Sequence, residues 1–153
     1  MRGDGIHTAT TADVAELADL HRRSSLVYDD TRDALLSRPE LFGVSAVALD
    51  DGHVRILVRR GRIIGFATLL PGEDGSGELD DLFVDPDYLR QGFGRALIDD
   101  AKASAQKCGA LRIEVTANAN SAAIYRKLGF VGEREVVTRL GHGLRMSLDL
   151  SDA

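Results

Sequence analysis

The stretch "ELDDLFVDPDYLRQGFGRAL", residues 78 to 97, constrains this chain more than any other. An apolar, strand-like run ends at Val84, a short bridge follows, and two glycines open a helical pattern that runs from Gly94 to Lys107 before Gly109 stops it. The first N–H groups of a helix have no acceptor inside it, and the macrodipole adds positive potential at the same end. Gly92 and Gly94 lack Cβ atoms, so a ligand can come close to the main chain, and Arg90 and Arg95 add charge. The stretch reads as strand, loop and helix, the loop being either an anion site that a diphosphate would fit or a glycine-rich turn that merely starts a helix. It is not a P-loop, because Arg95-Ala96 stands where Lys-Ser/Thr is required. A dinucleotide fingerprint needs a third glycine where Leu97 stands, and its first glycine directly after the strand.

Periodicity extends this into an α/β sheet. "TADVAELADLHRRSSLVY" predicts a first helix, capped by Thr11 or Asp13, with Val14, Leu17, Ala18 and His21 on one face. "TRDALLSRPEL" predicts a second, short helix ending near Pro39, followed by a connector from Leu41 to Asp51. "HVRILVRR" and "IIGFATLL" predict a hairpin about a Gly61-Arg62 turn, and "ELDDLFV" the next antiparallel strand after the turn "PGEDGSG". In "LRIEVTA", Leu111, Ile113 and Val115 alternate with polar residues as in a strand. "NSAAIYRKLGF" predicts a short helix between an Asn120 cap and Gly129, and "VGEREVVTR" and "GLRMSLDL" predict two closing strands.

A length of 153 residues fits one domain, 1–153. The net charge of −5, from 19 basic and 24 acidic residues, argues against nucleic acid or an anionic membrane as the main partner. No apolar stretch is long enough to span a bilayer, and "MRGDGIHTATTADVAE" lacks a signal-peptide apolar region, so a cytoplasmic location is expected. The single Cys108 has no internal disulfide partner and reads as packing, on a stripe with Leu97, Ile98, Ala101 and Ala105. His7, His21, His53 and His142 have no ligand spacing, so no metal is expected.

Two motifs in order carry a resemblance. Leu82-Phe83-Val84-Asp85-Pro86 followed by Leu89-Arg90-Gln91-Gly92-Phe93-Gly94 resembles the strand and pyrophosphate loop of the GNAT family of acetyl-CoA-dependent N-acetyltransferases. Asn118, Asn120, Tyr125, Gly129 and Phe130 match that family's second signature, N-x-N-x-x-x-x-Y-x-x-x-G-F, and the resemblance covers roughly residues 45 to 150. One departure is Leu89, where the family usually has Arg or Gln. The resemblance implies the GNAT fold: a mixed, mostly antiparallel central sheet with a splayed central strand pair, flanked by helices.

It further implies acetyl-CoA as co-substrate, with its diphosphate on Arg90, Gln91, Gly92, Phe93, Gly94 and Arg95 and its pantetheine arm along Leu82, Phe83 and Val84. Asn118 matches a cofactor contact, or is a loop asparagine, and Tyr125 matches the general acid, or packs its ring on the sheet. Glu78 aligns with a catalytic glutamate of some members. Asp80 shares its face by alternation, and either carboxylate could equally be a solvated one at a strand start. Tyr28 and Asp29, with Asp80, are the expected contacts of a primary amine acceptor, small molecule or peptide, and the acidic residues nearby either favour a cationic one or form a solvated face. A non-catalytic acyl-CoA-binding sensor on the same fold is the alternative function. Some members form homodimers, sometimes through their last strands, and "GLRMSLDL" does not decide this.

Overall fold

The computed structural model describes residues 3–25, 44–118, 121–138 and 141–150. Among these, the strands are β1 (Gly5–Thr8), β2 (Val54–Arg59), β3 (Arg62–Pro71), β4 (Ser76–Val84), β5 (Arg112–Ala117), β6 (Val131–Thr138) and β7 (Gly141–Asp149). The helices are α1 (Val14–Ser25), α2 (Ala46–Asp50), α3 (Phe93–Lys107) and α4 (Ala122–Lys127). Strand order is β1-β2-β3-β4-β5-β7-β6. Pairing is antiparallel for β1 with β2, β2 with β3, β5 with β7 and β6 with β7, and parallel for β4 with β5. The mixed, mostly antiparallel sheet expected from the sequence is the one observed. The second predicted helix and the Asn120 cap lie outside the described residues.

The chain packs as two compact units, Met1–Thr68 with Asp81–Leu97, and Leu69–Asp80 with Ile98–Ala153; β3, β4 and α3 run from one into the other. In the first unit, Arg59 pairs with Arg62, so the hairpin turn is Arg60-Gly61 and not Gly61-Arg62. Both turn residues have positive φ, 53° and 76°. This is the backbone twist that a two-residue hairpin needs, here with an arginine at a position where asparagine or glycine is the usual signal. The register shifts after Leu57↔Gly65 to Val58↔Ile63, so Ile64 is a bulge residue, and its carbonyl accepts from Asp85 N–H at 2.7 Å. The edge strand β1 was not expected, because four residues without alternation carry no strand period.

Helix α1 begins after a 3₁₀ turn, Thr11–Asp13, and that turn is capped by Thr10, whose N–H donates to Asp13 Oδ2 at 2.8 Å. Its buried face is Leu17, Leu20, His21 and Ser24, whereas Val14 lies out at 46% exposure. Burying each leucine contributes roughly 1.5–3 kcal/mol. The hydroxyl of Thr68, 1% exposed, has no hydrogen-bond partner among the described residues. An unsatisfied buried hydroxyl costs about 1–3 kcal/mol. Thr68→Val, close to isosteric, is therefore expected to stabilise by about 1 kcal/mol and to raise the midpoint of thermal unfolding by about 3 °C. A lower midpoint would mean that the hydroxyl is satisfied.

In the second unit, β4 and β5 pair from Ser76↔Arg112 to Leu79↔Val115, while β5 runs on with β7 through Ala117↔Leu144. Gly77 and Leu79 face the buried side, where a Cβ on Gly77 would sit 3.9 Å from Ala105 of α3. The alternation puts Glu78 and Asp80 on the other face. Two expectations at element ends are corrected. Cys108 is exposed, because α3 ends at Lys107 and the chain turns away before the stripe repeats. Leu111 is 58% exposed, because β5 begins only at Arg112.

Candidate active site

The anion-binding loop lies in the first unit. Asp85, 1% exposed, follows β4 directly, and its side chain accepts from Asp87 N–H at 3.0 Å while Tyr88 N–H donates to its carbonyl at 2.8 Å. A 3₁₀ turn, Pro86–Tyr88, is thereby fixed. From α1, Arg23 Nη1 reaches Asp85 Oδ2 at 2.8 Å, and Ser24 Oγ donates to the Val84 carbonyl at 3.0 Å. The end of β4 is thus tied to α1 before the loop starts. Burial pushes the Asp85 carboxyl up, but the Arg23 hydrogen bond, the Asp87 N–H and the charges of Arg23 and Arg62 outweigh it and hold the group below its ordinary value.

Beyond the turn, Arg90 and Gly92 have φ of 63° and 83°. Left-handed backbone at a non-glycine costs on the order of 1–2 kcal/mol. Here it folds the main chain into a concavity of the kind in which successive N–H groups converge on an anion. The first turn of α3 closes with Ala96 N–H donating to Gly92 C=O at 3.0 Å, so the amides of Phe93 and Gly94 precede the helix's own ladder. Among the described residues, none accepts from the N–H of Gly92, Phe93 or Gly94. A Cβ built on Gly92 or Gly94 meets nothing within 4 Å. Protein packing therefore does not require a glycine at 94, where alanine would favour the helix by about 1 kcal/mol. Open space over unsatisfied amides is what a diphosphate would fill.

Phe93 contacts the protein instead. Tyr88 meets its ring edge-on at 6.2 Å between centroids, and the Arg59 guanidinium stands 5.5 Å from its centroid. Arg59 brings positive charge to a loop in which Leu89 is half exposed. No sequence signal marked it, because the hairpin register alone brings it there. Of the predicted pantetheine-binding residues, Phe83 stacks with His21 at 4.3 Å and Phe66 at 5.5 Å, and Leu82 and Val84 are half-buried.

The second unit holds Glu78, Asp80, Asn118 and Tyr125. Arg145 of β7 donates from Nη1 to Glu78 Oε2 at 2.7 Å and from Nη2 to Glu78 Oε1, a bidentate pair. The same guanidinium donates to Thr116 Oγ1 at 3.0 Å and approaches Glu114 Oε2 at 3.5 Å. Sequence reading missed Arg145, since its partners lie on two strands distant in sequence. Asp80 reaches solvent, but burial of part of its carboxyl pushes it above its ordinary value and the negative charge of Glu78 pushes it further. Tyr125 is buried, 7% exposed, with its ring edge-on to Phe130 at 5.4 Å. Asn118 Oδ1 accepts from Ser121 N–H at 2.9 Å and its carbonyl accepts from Ala122 N–H at 3.1 Å, so it closes the start of α4. Tyr28 and Asp29 lie outside the described residues. No cluster of metal-ligating side chains occurs among the described residues.

Residues 14–130 match the model of the acetyltransferase (GNAT) family, which spans most of the chain and both motifs. The chain belongs to the GNAT acetyltransferase family. A glucosamine 6-phosphate N-acetyltransferase of Trypanosoma brucei brucei is 30% identical over 146 residues, which cover 90% of this chain and 93% of that protein. Among solved folds, a GCN5-related N-acetyltransferase from Rhodopseudomonas palustris superposes with a TM-score of 0.78 at 24% identity, over 98% of each chain. The PaiA N-acetyltransferase of Thermoplasma acidophilum, in complex with coenzyme A, does so with a TM-score of 0.75 at 18% identity, over 97% of this chain and 99% of that one. The GNAT fold is thus the fold of this chain.

Proposed function

We propose that this GNAT protein transfers the acetyl group of acetyl-CoA to a primary amine within one ternary complex. The supporting observation is the loop: amides of Gly92, Phe93 and Gly94 without acceptors, under open space, at the start of a fifteen-residue helix. With Arg90 and Arg95 they hold the diphosphate, and the charge of Arg59 offsets the missing contact at Leu89. The pantetheine arm follows β4 through Leu82, Phe83 and Val84.

Direct transfer follows from the nucleophiles: Cys108 is exposed at a turn outside the motifs, so the amine itself attacks the thioester. The ammonium first gives a proton to a carboxylate of β4. The neutral nitrogen bonds to the acetyl carbon, the C–S bond breaks, the thiolate takes a proton from Tyr125, and the second proton shed by the acylated nitrogen restores the phenol through solvent. Tyr125→Phe is expected to lower kcat about tenfold without changing acetyl-CoA affinity, because a poorly solvated thiolate then leaves unprotonated. An unchanged rate across pH would exclude the acid role.

The acceptor test is thiol release from acetyl-CoA with glucosamine 6-phosphate, spermidine, an aminoglycoside, and lysine and α-amino peptides as acceptors. The first is included because of the trypanosomal relative's name, the second because of the acidic acceptor-side residues. Turnover on any of these supports the reading. Tight acetyl-CoA binding with no turnover on all of them favours a sensor.

A further inference from the structure

Two carboxylates share one face of β4, and their surroundings differ. Both oxygens of Glu78 are taken by Arg145, and the fork that holds them is itself held by Thr116 Oγ1 and lies near Glu114. Glu114 sits opposite Glu78 in the β4–β5 register, with Arg112 Nε at 3.9 Å on its other side. Asp80 is the next residue on that face, one position past the last β4–β5 pair, Leu79↔Val115, and its side chain reaches solvent. A base must offer an oxygen lone pair to the amine proton and accept it without breaking a stronger interaction. Protonating Glu78 would break a bidentate, charge-assisted pair; protonating Asp80 breaks no ion pair recorded among the described residues.

We propose that Asp80 takes the amine proton and that Arg145 is a positioning residue, engaging both oxygens of Glu78 two residues away so that Glu78 does not serve as the base. This rests on the acetyltransferase reading above. The proton passes from the ammonium to an Asp80 oxygen, the freed lone pair forms the C–N bond, and Asp80 returns the proton to water after release. The charge that acts on Asp80 is that of Glu78 on its own strand, and Glu78 is in turn paired with Arg145 of β7, which also approaches Glu114 of β5. Their balance sets how readily Asp80 accepts a proton.

The test compares Asp80→Asn, Glu78→Gln and Arg145→Gln by the pH profile of kcat/KM, using the amine from the panel that wild type turns over fastest, with thermal melts to verify folding. Asp80→Asn is expected to lose about 100-fold in plateau rate. Glu78→Gln keeps a plateau within a few-fold and moves the acidic limb to lower pH, because the anion that disfavours ionised Asp80 is gone. Arg145→Gln moves that limb the opposite way, because Glu78 and Glu114 are then less compensated. Loss of fold alone would not give limbs displaced in opposite directions. The Asp80 carboxyl carbon, followed by ¹³C NMR through a pH titration, reads the same displacements without turnover and serves if Arg145→Gln is too unstable to assay. A Glu78→Gln variant that is dead while Asp80→Asn stays active, or carboxyl titrations unmoved by both neighbours, overturns the proposal and leaves acetyl transfer intact. Absence of wild-type turnover on every amine refutes the acetyltransferase reading instead.

Discussion

Gly92→Asp lowers affinity for acetyl-CoA on the order of 10³-fold, about 4 kcal/mol, while the protein still folds. Two effects add. Gly92 has φ of 83°, which an L residue adopts at a cost of about 1–2 kcal/mol, and the new carboxylate takes the place and the sign of the phosphates. Nothing lies within 4 Å of the added Cβ, so steric damage to the protein is absent and the melting temperature falls by only a few degrees. Calorimetric titration of wild type and variant with acetyl-CoA checks this. Equal affinities would remove the loop from cofactor binding.

Arg23→Ala is expected to cost about 3 kcal/mol of stability at pH 7. The variant leaves Asp85, 1% exposed, as a buried carboxylate without its guanidinium. The figure is at the low end for such a loss because the Arg23 side chain is itself 34% exposed. The pH dependence distinguishes charge from packing. In wild type the Asp85 carboxyl is lowered on folding, so its contribution is complete above the unfolded value of about 3.9 and is lost as pH falls through the folded one. Without the Arg23 hydrogen bond and charge the carboxyl moves up in the direction burial favours, and protonation on acidification relieves the variant. The gap in urea-derived stability should therefore narrow from pH 7 toward pH 4; a constant gap would assign the loss to packing alone. Because Asp85 also fixes the turn before the loop, acetyl-CoA affinity should fall in parallel.

The parts of this architecture that are local in sequence were legible there. The strand into Val84, the glycines at 92 and 94, the length of α3 and the paired closing strands each follow from periodicity and turn chemistry within a short window. Errors fell where a period was carried past the end of its element, at Cys108 and Leu111, and where the chain used a residue against its preference, as Arg60 in the hairpin turn. The clamp of Arg145 on Glu78 depends on β7 lying beside β5 rather than at the sheet edge. Nothing within β4 or β7 alone announces that order. The same holds for Arg23 and Asp85, 62 residues apart, and for Arg59 above Phe93.

The most direct measurement is a titration of ¹⁵N-labelled protein with coenzyme A, following individual amide resonances. Diphosphate capture by the loop predicts large downfield shifts of the Gly92, Phe93 and Gly94 amides, saturating together with the bound fraction and absent with pantetheine alone. Resonances of those three amides that stay in place while coenzyme A binds would contradict it.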